Sequence, residues 1–171
     1  MPLYRCNGIE LEAEILAAPA APMALDRAGS SGPVPVAPGV VPPILPGDPP
    51  PILLIMGLGM QLTAWPAPLV EGLNALGHAV IRFDNRDIGL STRRAEWGRP
   101  NLVAMALRQA IGLPVHAAYT LDDMAADTVG LLDALGVARA HVLGVSMGGM
   151  IGQLLAARHG DRVASFTCVM S

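Results

Sequence analysis

Cysteine is nearly missing from this chain: Cys6 and Cys168, at opposite ends, are the two among 171 residues. That scarcity excludes a disulfide-stapled scaffold and leads us to expect two free, buried thiols in a reducing compartment. Charge is also thin, at 15% of residues, with 11 basic against 14 acidic side chains. A net charge of −3 provides no field for nucleic acid or an anionic membrane surface. No apolar run approaches the ~20 residues a membrane span needs. The start, Met1-Pro-Leu-Tyr-Arg-Cys-Asn-Gly8, lacks a basic stretch followed by an apolar one, so no signal peptide is expected. A soluble cytoplasmic protein is therefore the default expectation. Hydrophobic residues reach 52%, enough for one domain with a sizeable core.

Leu3 to Leu16 reads as a β-hairpin. Asn7-Gly8 is a two-residue turn signal, and Ile9, Leu11 and Ala13 alternate with Glu10, Glu12 and Glu14. The composition then changes: eleven of the 16 prolines fall between Ala17 and Pro51. We read residues 18–50 as a flexible, Pro-rich insertion without a core of its own. Past it, strands and helices alternate. Ile52–Met56 is a continuous apolar run, Pro66 opens a helix to about Leu76, and Ala79–Phe83 is the next strand. A helix is expected from Asn101 to Ile111. Thr120 caps another whose buried stripe is Leu121, Met124, Ala125, Thr128, Leu132 and Leu135, with Gly136 as its stop. His141–Val145 is a strand, Met147–His159 a helix, and Val163–Met170 a last apolar strand. This alternation implies an α/β fold with a mostly parallel sheet, an N-terminal hairpin and helices on both faces.

The densest signal is Gly144-Val-Ser146-Met-Gly148, set between the apolar strand and the helix. A G-x-S-x-G at that junction puts its serine in a sharp turn with the hydroxyl raised at the sheet's carboxyl edge. Gly144, Gly148 and Gly149 allow close helix–strand packing. The competing interpretation, a serine that merely caps the helix, does not need glycine on both sides. If Ser146 is a nucleophile, it needs backbone donors for a developing oxyanion. The N–H of Met147, at the start of the helix, is one candidate. The N–H of Leu58, in Met56-Gly57-Leu58-Gly59, is the other. A dinucleotide fingerprint starting at Gly57 ranks low, because position 62 is Leu.

Four motifs in order carry a family resemblance: Ile55-Met-Gly-Leu-Gly59, Arg82-Phe-Asp-Asn-Arg-Asp-Ile-Gly-Leu-Ser-Thr92, Tyr119-Thr-Leu-Asp-Asp-Met124 and Gly144-Val-Ser-Met-Gly-Gly149. Over Leu3–Leu16 and Pro51–Ser171 the chain resembles α/β-hydrolases of the esterase/lipase type, in particular the aclacinomycin methylesterase-like group. The resemblance implies Ser146 as nucleophile and Leu58 and Met147 as oxyanion donors. Gly57, Gly59, Met60 and Trp65 are then expected to bind substrate, with Asp84, Arg86 and Asp87 holding the neighbouring loop. It implies a small-molecule ester as substrate and neither metal nor organic cofactor.

The same resemblance calls for an acid and then a histidine after the serine. Only His159 and Asp161 follow Ser146. His159, 13 residues along a helix, lies ~20 Å away at 1.5 Å per residue. His141 and His78 belong to the opposite sheet edge, and His116 to a loop. We therefore expect a single partial α/β-hydrolase domain over 1–171, weak or inactive alone, with acid and histidine encoded beyond Ser171. Two rivals remain: a non-catalytic fragment or interaction module that pairs through its open sheet edge, with itself or with a complementing C-terminal half, and an acyltransferase of the same fold.

Overall fold

A computed structural model describes residues 1–19, 49–93, 107–108, 110–114 and 117–171. The Pro-rich segment, most of the helix expected over 101–111, and His116 lie outside these residues. Asn7 (φ 48°) and Gly8 (φ 77°) form the expected two-residue turn between β1 (Leu3–Cys6) and β2 (Ile9–Leu16). Four further strands follow: β3 (Ile52–Ile55), β4 (Val80–Phe83), β5 (Ala140–Val145) and β6 (Val163–Val169). They form one six-stranded sheet in the order β1-β2-β4-β3-β5-β6. β1–β2 and β2–β4 pair antiparallel, while β4–β3, β3–β5 and β5–β6 pair parallel.

The wholly apolar run of β3 is buried on both sides, as a central parallel strand requires. Its alternate residues enter two cores. Leu53 and Ile55 join Ile81, Phe83, Leu131, Leu132, Ile151 and Leu155 on one face. Ile52 and Leu54 join Met56, Trp65, Val70 and Val80 on the other. The first core is covered by α2 (Leu121–Ala134) and α3 (Met147–Arg158), the second by α1 (Ala67–Ala75). Helices thus flank both faces.

Helix boundaries follow local chemistry. α1 starts after Pro66, whose missing N–H costs nothing there. The chain leaves it through Gly77 at φ 92°. The hydroxyl of Thr120 accepts the N–H of Asp123, and the Asp123 carboxylate accepts the N–H of Thr120, closing a capping box on α2. The Thr120 N–H and then the Thr120 hydroxyl, both donating to the Asp123 carboxylate, hold that carboxyl below its ordinary range.

Two features differ from the sequence expectation. Glu12, on the polar side of the β2 alternation, is buried. The loop after β4 folds over it, and Leu90 N–H donates to its Oε2 at 3.3 Å. The thiols also part company. Cys6 is buried, and burial pushes its pKa up to about 11. Cys168 is exposed, because it lies on β6, which has a neighbouring strand on one side only among the described residues.

Two helical glycines make opposite predictions. A Cβ on Gly130 of α2 would sit 2.8 Å from Cys6 Cβ and 3.1 Å from the Asn7 nitrogen. Gly130→Ala gains ~1 kcal/mol of helix propensity but incurs ~1–3 kcal/mol of overpacking against backbone, so it should destabilise. Gly72 of α1 has nothing within 4 Å of such a Cβ, and Gly72→Ala should stabilise by ~0.5–1 kcal/mol. Urea midpoints of the two variants check the pair.

Candidate active site

The carboxyl ends of β3 and β5 meet at Ser146. Its backbone, at φ 52° and ψ −123°, occupies a region that residues with a Cβ seldom adopt. Holding it there costs on the order of 1–3 kcal/mol, which the surrounding contacts must offset. They do so from both sides. Ser146 N–H donates to Val169 O at 2.9 Å, extending the β5–β6 pairing past the end of the strand. Its carbonyl accepts Gly149 N–H at 2.8 Å and Met150 N–H at 3.2 Å, as well as the Ser171 hydroxyl. Ser146 is therefore the N-cap of α3 through its carbonyl, while its side chain makes no capping hydrogen bond. The hydroxyl is left exposed at the turn.

Glycine is required around this bend. A Cβ on Gly144 would meet Gly148 and Gly149, one on Gly148 would meet the Ile55 and Met56 carbonyls, and one on Gly149 would meet Cys168 and Ser171. Gly57 lies against the serine itself: its Cβ would stand 3.2 Å from Ser146 Cβ and 3.7 Å from Oγ. The loop after β3 and the Ser146 turn are thus in direct contact. Leu58 follows on that loop, and Met147 opens α3. Among the described residues, the N–H groups of Leu58 and Met147 donate to nothing.

The loop after β4 buttresses this arrangement. Asn85 donates from Nδ2 to Met56 O at 3.1 Å, fixing the turn that carries Gly57 and Leu58. Asp84 accepts Leu62 N–H, and its carbonyl accepts the Ser91 hydroxyl at 2.6 Å. A Cβ on Gly89 would collide with the Asp84 carboxylate, so only glycine fits there. Burial, with Glu12 beside it, raises the Asp84 pKa above its ordinary 3.8, although the Leu62 and Leu90 N–H groups pull it back in part.

Arg86 is buried and forks onto Asp127 of α2 at 2.6 and 2.7 Å. Asn7 Nδ2 completes the Asp127 carboxylate at 2.8 Å. The guanidinium also lies 5.0 Å over the Tyr119 ring. Burial alone would lower the Arg86 pKa, but the hydrogen-bonded Asp127 charge raises it overall. Asp87, at φ 66°, donates its N–H to Thr92 O at 3.1 Å. Burial, then its hydrogen bond to Asp87, pushes the Tyr119 phenol up to about 12.

Two cavities flank the Gly57–Gly59 loop. One, of about 160 Å³, is lined by Leu58, Tyr119, Met124 and Met147 among others, and the other, of about 390 Å³, by Met60 and Gln61 among others. Gly59 (φ 73°) borders both. Trp65, expected to bind substrate, lines neither: the ring is buried in the core with Val70 and Val80. Its Nε1 has no hydrogen-bond partner among the described residues.

The described histidines stand apart from Ser146. His141 pairs in register with Ile52, at the entry end of the parallel strands, five residues and ~16 Å from the serine. There its Nδ1 lies 2.7 Å from Ser165 Oγ, and its ring is perpendicular to that of His78 at 5.4 Å. Burial, His78 and Arg139 together lower the His141 pKa. His159 caps the far end of α3. Among the described residues, no imidazole hydrogen-bonds to Ser146. No group of three or more His, Cys, Asp or Glu among them could hold a metal ion, and no helix is long and apolar enough to cross a membrane.

Asn85, Glu12 and Asp127 escaped the sequence reading. Asp127 carried a usable signal: it lies between Met124 and Thr128 on the buried stripe of α2, where a carboxylate demands a cationic partner. Asp127→Ala removes the carboxylate that neutralises the buried Arg86 guanidinium and should cost ~3–5 kcal/mol in denaturant unfolding. For Asp84, the folded-state pKa lies above the unfolded 3.8. Its stabilising contribution is thus complete below pH 3.8 and is lost as pH rises through the folded value. Asp84→Asn should flatten that fall, read as urea midpoints from pH 4 to 7.

Comparison with known proteins agrees with this geometry. The family described as alpha/beta hydrolase fold matches residues 50–171. Rhodomycin D methylesterases of Streptomyces peucetius and of Streptomyces sp. strain C5 are each 38% identical over 126 residues, covering 72% of this chain and 36% of theirs. The chain thus spans about a third of the length of these relatives. Among solved structures, the enol-lactonase from Burkholderia xenovorans LB400 aligns with a TM-score of 0.60 at 29% identity, covering 96% of this chain and 45% of that one. The match to 50–171, the mixed sheet and the glycine-flanked serine between β5 and α3 lead to one conclusion: this chain belongs to the alpha/beta hydrolase family.

Proposed function

We propose that the chain carries the nucleophile and oxyanion half of a serine esterase site, and that its substrates are small carboxylic esters. The observation that carries this reading is Ser146 at φ 52°, ψ −123°, with Gly57 against its side chain. A strained backbone of this kind persists only where its surroundings enforce it, and here it presents an exposed hydroxyl beside two amides that donate to nothing among the described residues. The similarity to methylesterases supports an ester as the bond cleaved.

In the proposed reaction Ser146 Oγ attacks the ester carbonyl carbon, and the carbonyl π electrons move onto oxygen. The N–H groups of Met147 and Leu58 hold that oxyanion, the former at the positive end of α3. Collapse expels the alcohol and leaves an acyl-serine, which water then hydrolyses. Gly57, Gly59 and Met60 form the loop against which the ester lies. The proton of Ser146 needs an acceptor, and no described histidine reaches it. We infer that the base and its carboxylate come from outside the described residues. Oxyanion binding alone leaves ~10³–10⁴ over water, far below a complete triad.

β6 supports a second reading. It closes the sheet on one side, and its Val169 and the adjacent Met170 are exposed. Such an edge can add a strand from another chain. Light scattering on the eluting protein separates the cases: a dimer supports edge pairing and a monomer removes it.

The esterase reading predicts slow p-nitrophenyl acetate hydrolysis by the 171-residue protein, abolished by Ser146→Ala. Turnover that survives Ser146→Ala would overturn it. Fast turnover lost in that variant would keep the nucleophile but show that a base is already within reach.

A further inference from the structure

The two cavities beside the nucleophile differ in chemistry as well as size. The smaller, about 160 Å³, has Leu58, Ile88, Leu121, Met124 and Met147 in its wall, with Tyr119, Thr120 and Arg86, the last ion-paired with Asp127. Its volume is close to that of an apolar cavity that admits benzene, ~150 Å³. The larger, about 390 Å³, places Gln61, Thr63 and Arg93 in its wall. Gly59 and Ile88 border both cavities, so they adjoin across the loop that bears the Leu58 N–H. Among the described residues, Arg93 is the one ionisable side chain lining the larger cavity, and it is exposed there. It makes no ion pair among the described residues, whereas Arg82, Arg86, Arg158 and Arg162 each hold a carboxylate.

An ester spanning the loop therefore meets, at one end, a mainly apolar cavity whose Arg86 is neutralised by Asp127 and, at the other, a cavity bearing Arg93. The carbonyl between them falls beside the Leu58 and Met147 amides. We propose that Arg93 is a specificity-determining residue that selects esters whose larger half carries an anionic group such as a carboxylate, while the small apolar half enters the Met124–Met147 cavity. The inference rests on the assignment of Ser146 as nucleophile, and it adds the charge and the polarity of the substrate. Gln61 and Thr63 supply further hydrogen-bonding groups around the anion, and the guanidinium fork suits a carboxylate bidentately. Arg93 touches substrate remote from the scissile bond, so it acts on binding of the intact ester.

The test uses Ser146→Ala protein, which removes hydrolysis, and two probes of near-equal shape: monomethyl glutarate, an anion, and dimethyl glutarate, which is neutral. Calorimetric or NMR titration should show the anion binding about three- to tenfold more tightly, the range for a partly solvated charge-assisted contact. The preference should shrink in 0.5 M salt, vanish in Ser146→Ala/Arg93→Gln and partly return in Ser146→Ala/Arg93→Lys. Equal affinity for the two probes overturns the proposal, as does a preference that Arg93→Gln leaves intact or an absence of binding by either probe at tens of millimolar. Because Arg93 is exposed, the variants should keep the parent melting temperature. These titrations do not depend on turnover, so their failure is distinct from failure of the p-nitrophenyl acetate assay on the unsubstituted chain.

Discussion

A single backbone conformation organises this molecule. Ser146 adopts a positive φ between a parallel strand and a helix, and three chain segments must come together to hold it there. β6 takes its N–H, α3 takes its carbonyl, and the loop after β3 closes on its side chain. At Gly144 and Gly148 the approach is shorter than a Cβ would allow, and at Gly57 it is tight, so contact distance rather than turn preference favours glycine at these positions. The cost of the bend and the exposure of the hydroxyl have the same origin. A relaxed turn would let the serine fold back onto the helix amides as an ordinary cap.

The remaining polar core keeps that junction rigid. Asn85 holds the Met56 carbonyl, Asp84 holds the Leu62 amide, and Arg86 ties the same loop to α2 through Asp127. A loop that carried its own weight in solvent could drift by an ångström or more, and oxyanion donors tolerate little of that. Buried charge is an expensive way to obtain rigidity, yet Arg86 and Asp127 satisfy each other bidentately, with Asn7 and Tyr119 filling in around them. The loop is consequently joined to the N-terminal hairpin, to α2 and to the turn that carries Gly57 and Leu58.

Much of this was legible in the chain. The hairpin could be read because Asn7-Gly8 has a local conformational reason to turn, and the helices because Thr120, Pro66, Gly77 and Gly136 mark their ends chemically. The sharp turn at Ser146 could be read because its glycines are contiguous with it. What could not be read depends on contacts distant in sequence. Glu12 alternates like a solvent-facing residue, and only the loop 78 residues away, through Leu90, covers it. Trp65 follows the oxyanion loop closely enough to suggest a pocket wall, but α1 and β4 draw its ring into the core. Cys168 has the composition of a buried strand residue, and its exposure follows from its position on a sheet edge. The separation of Ser146 from His141 and from His159, in contrast, follows from strand and helix rise alone.

The account stands on Ser146 Oγ and the amides of Leu58 and Met147 converging on one point. The most direct measurement is a crystal structure of the protein after treatment with a small fluorophosphonate. We predict phosphorus bonded to Ser146 Oγ and its phosphoryl oxygen ~2.7–3.1 Å from both amide nitrogens, with the serine still at positive φ. An adduct on another residue, or a phosphoryl oxygen turned to solvent with the two amides unused, would contradict it.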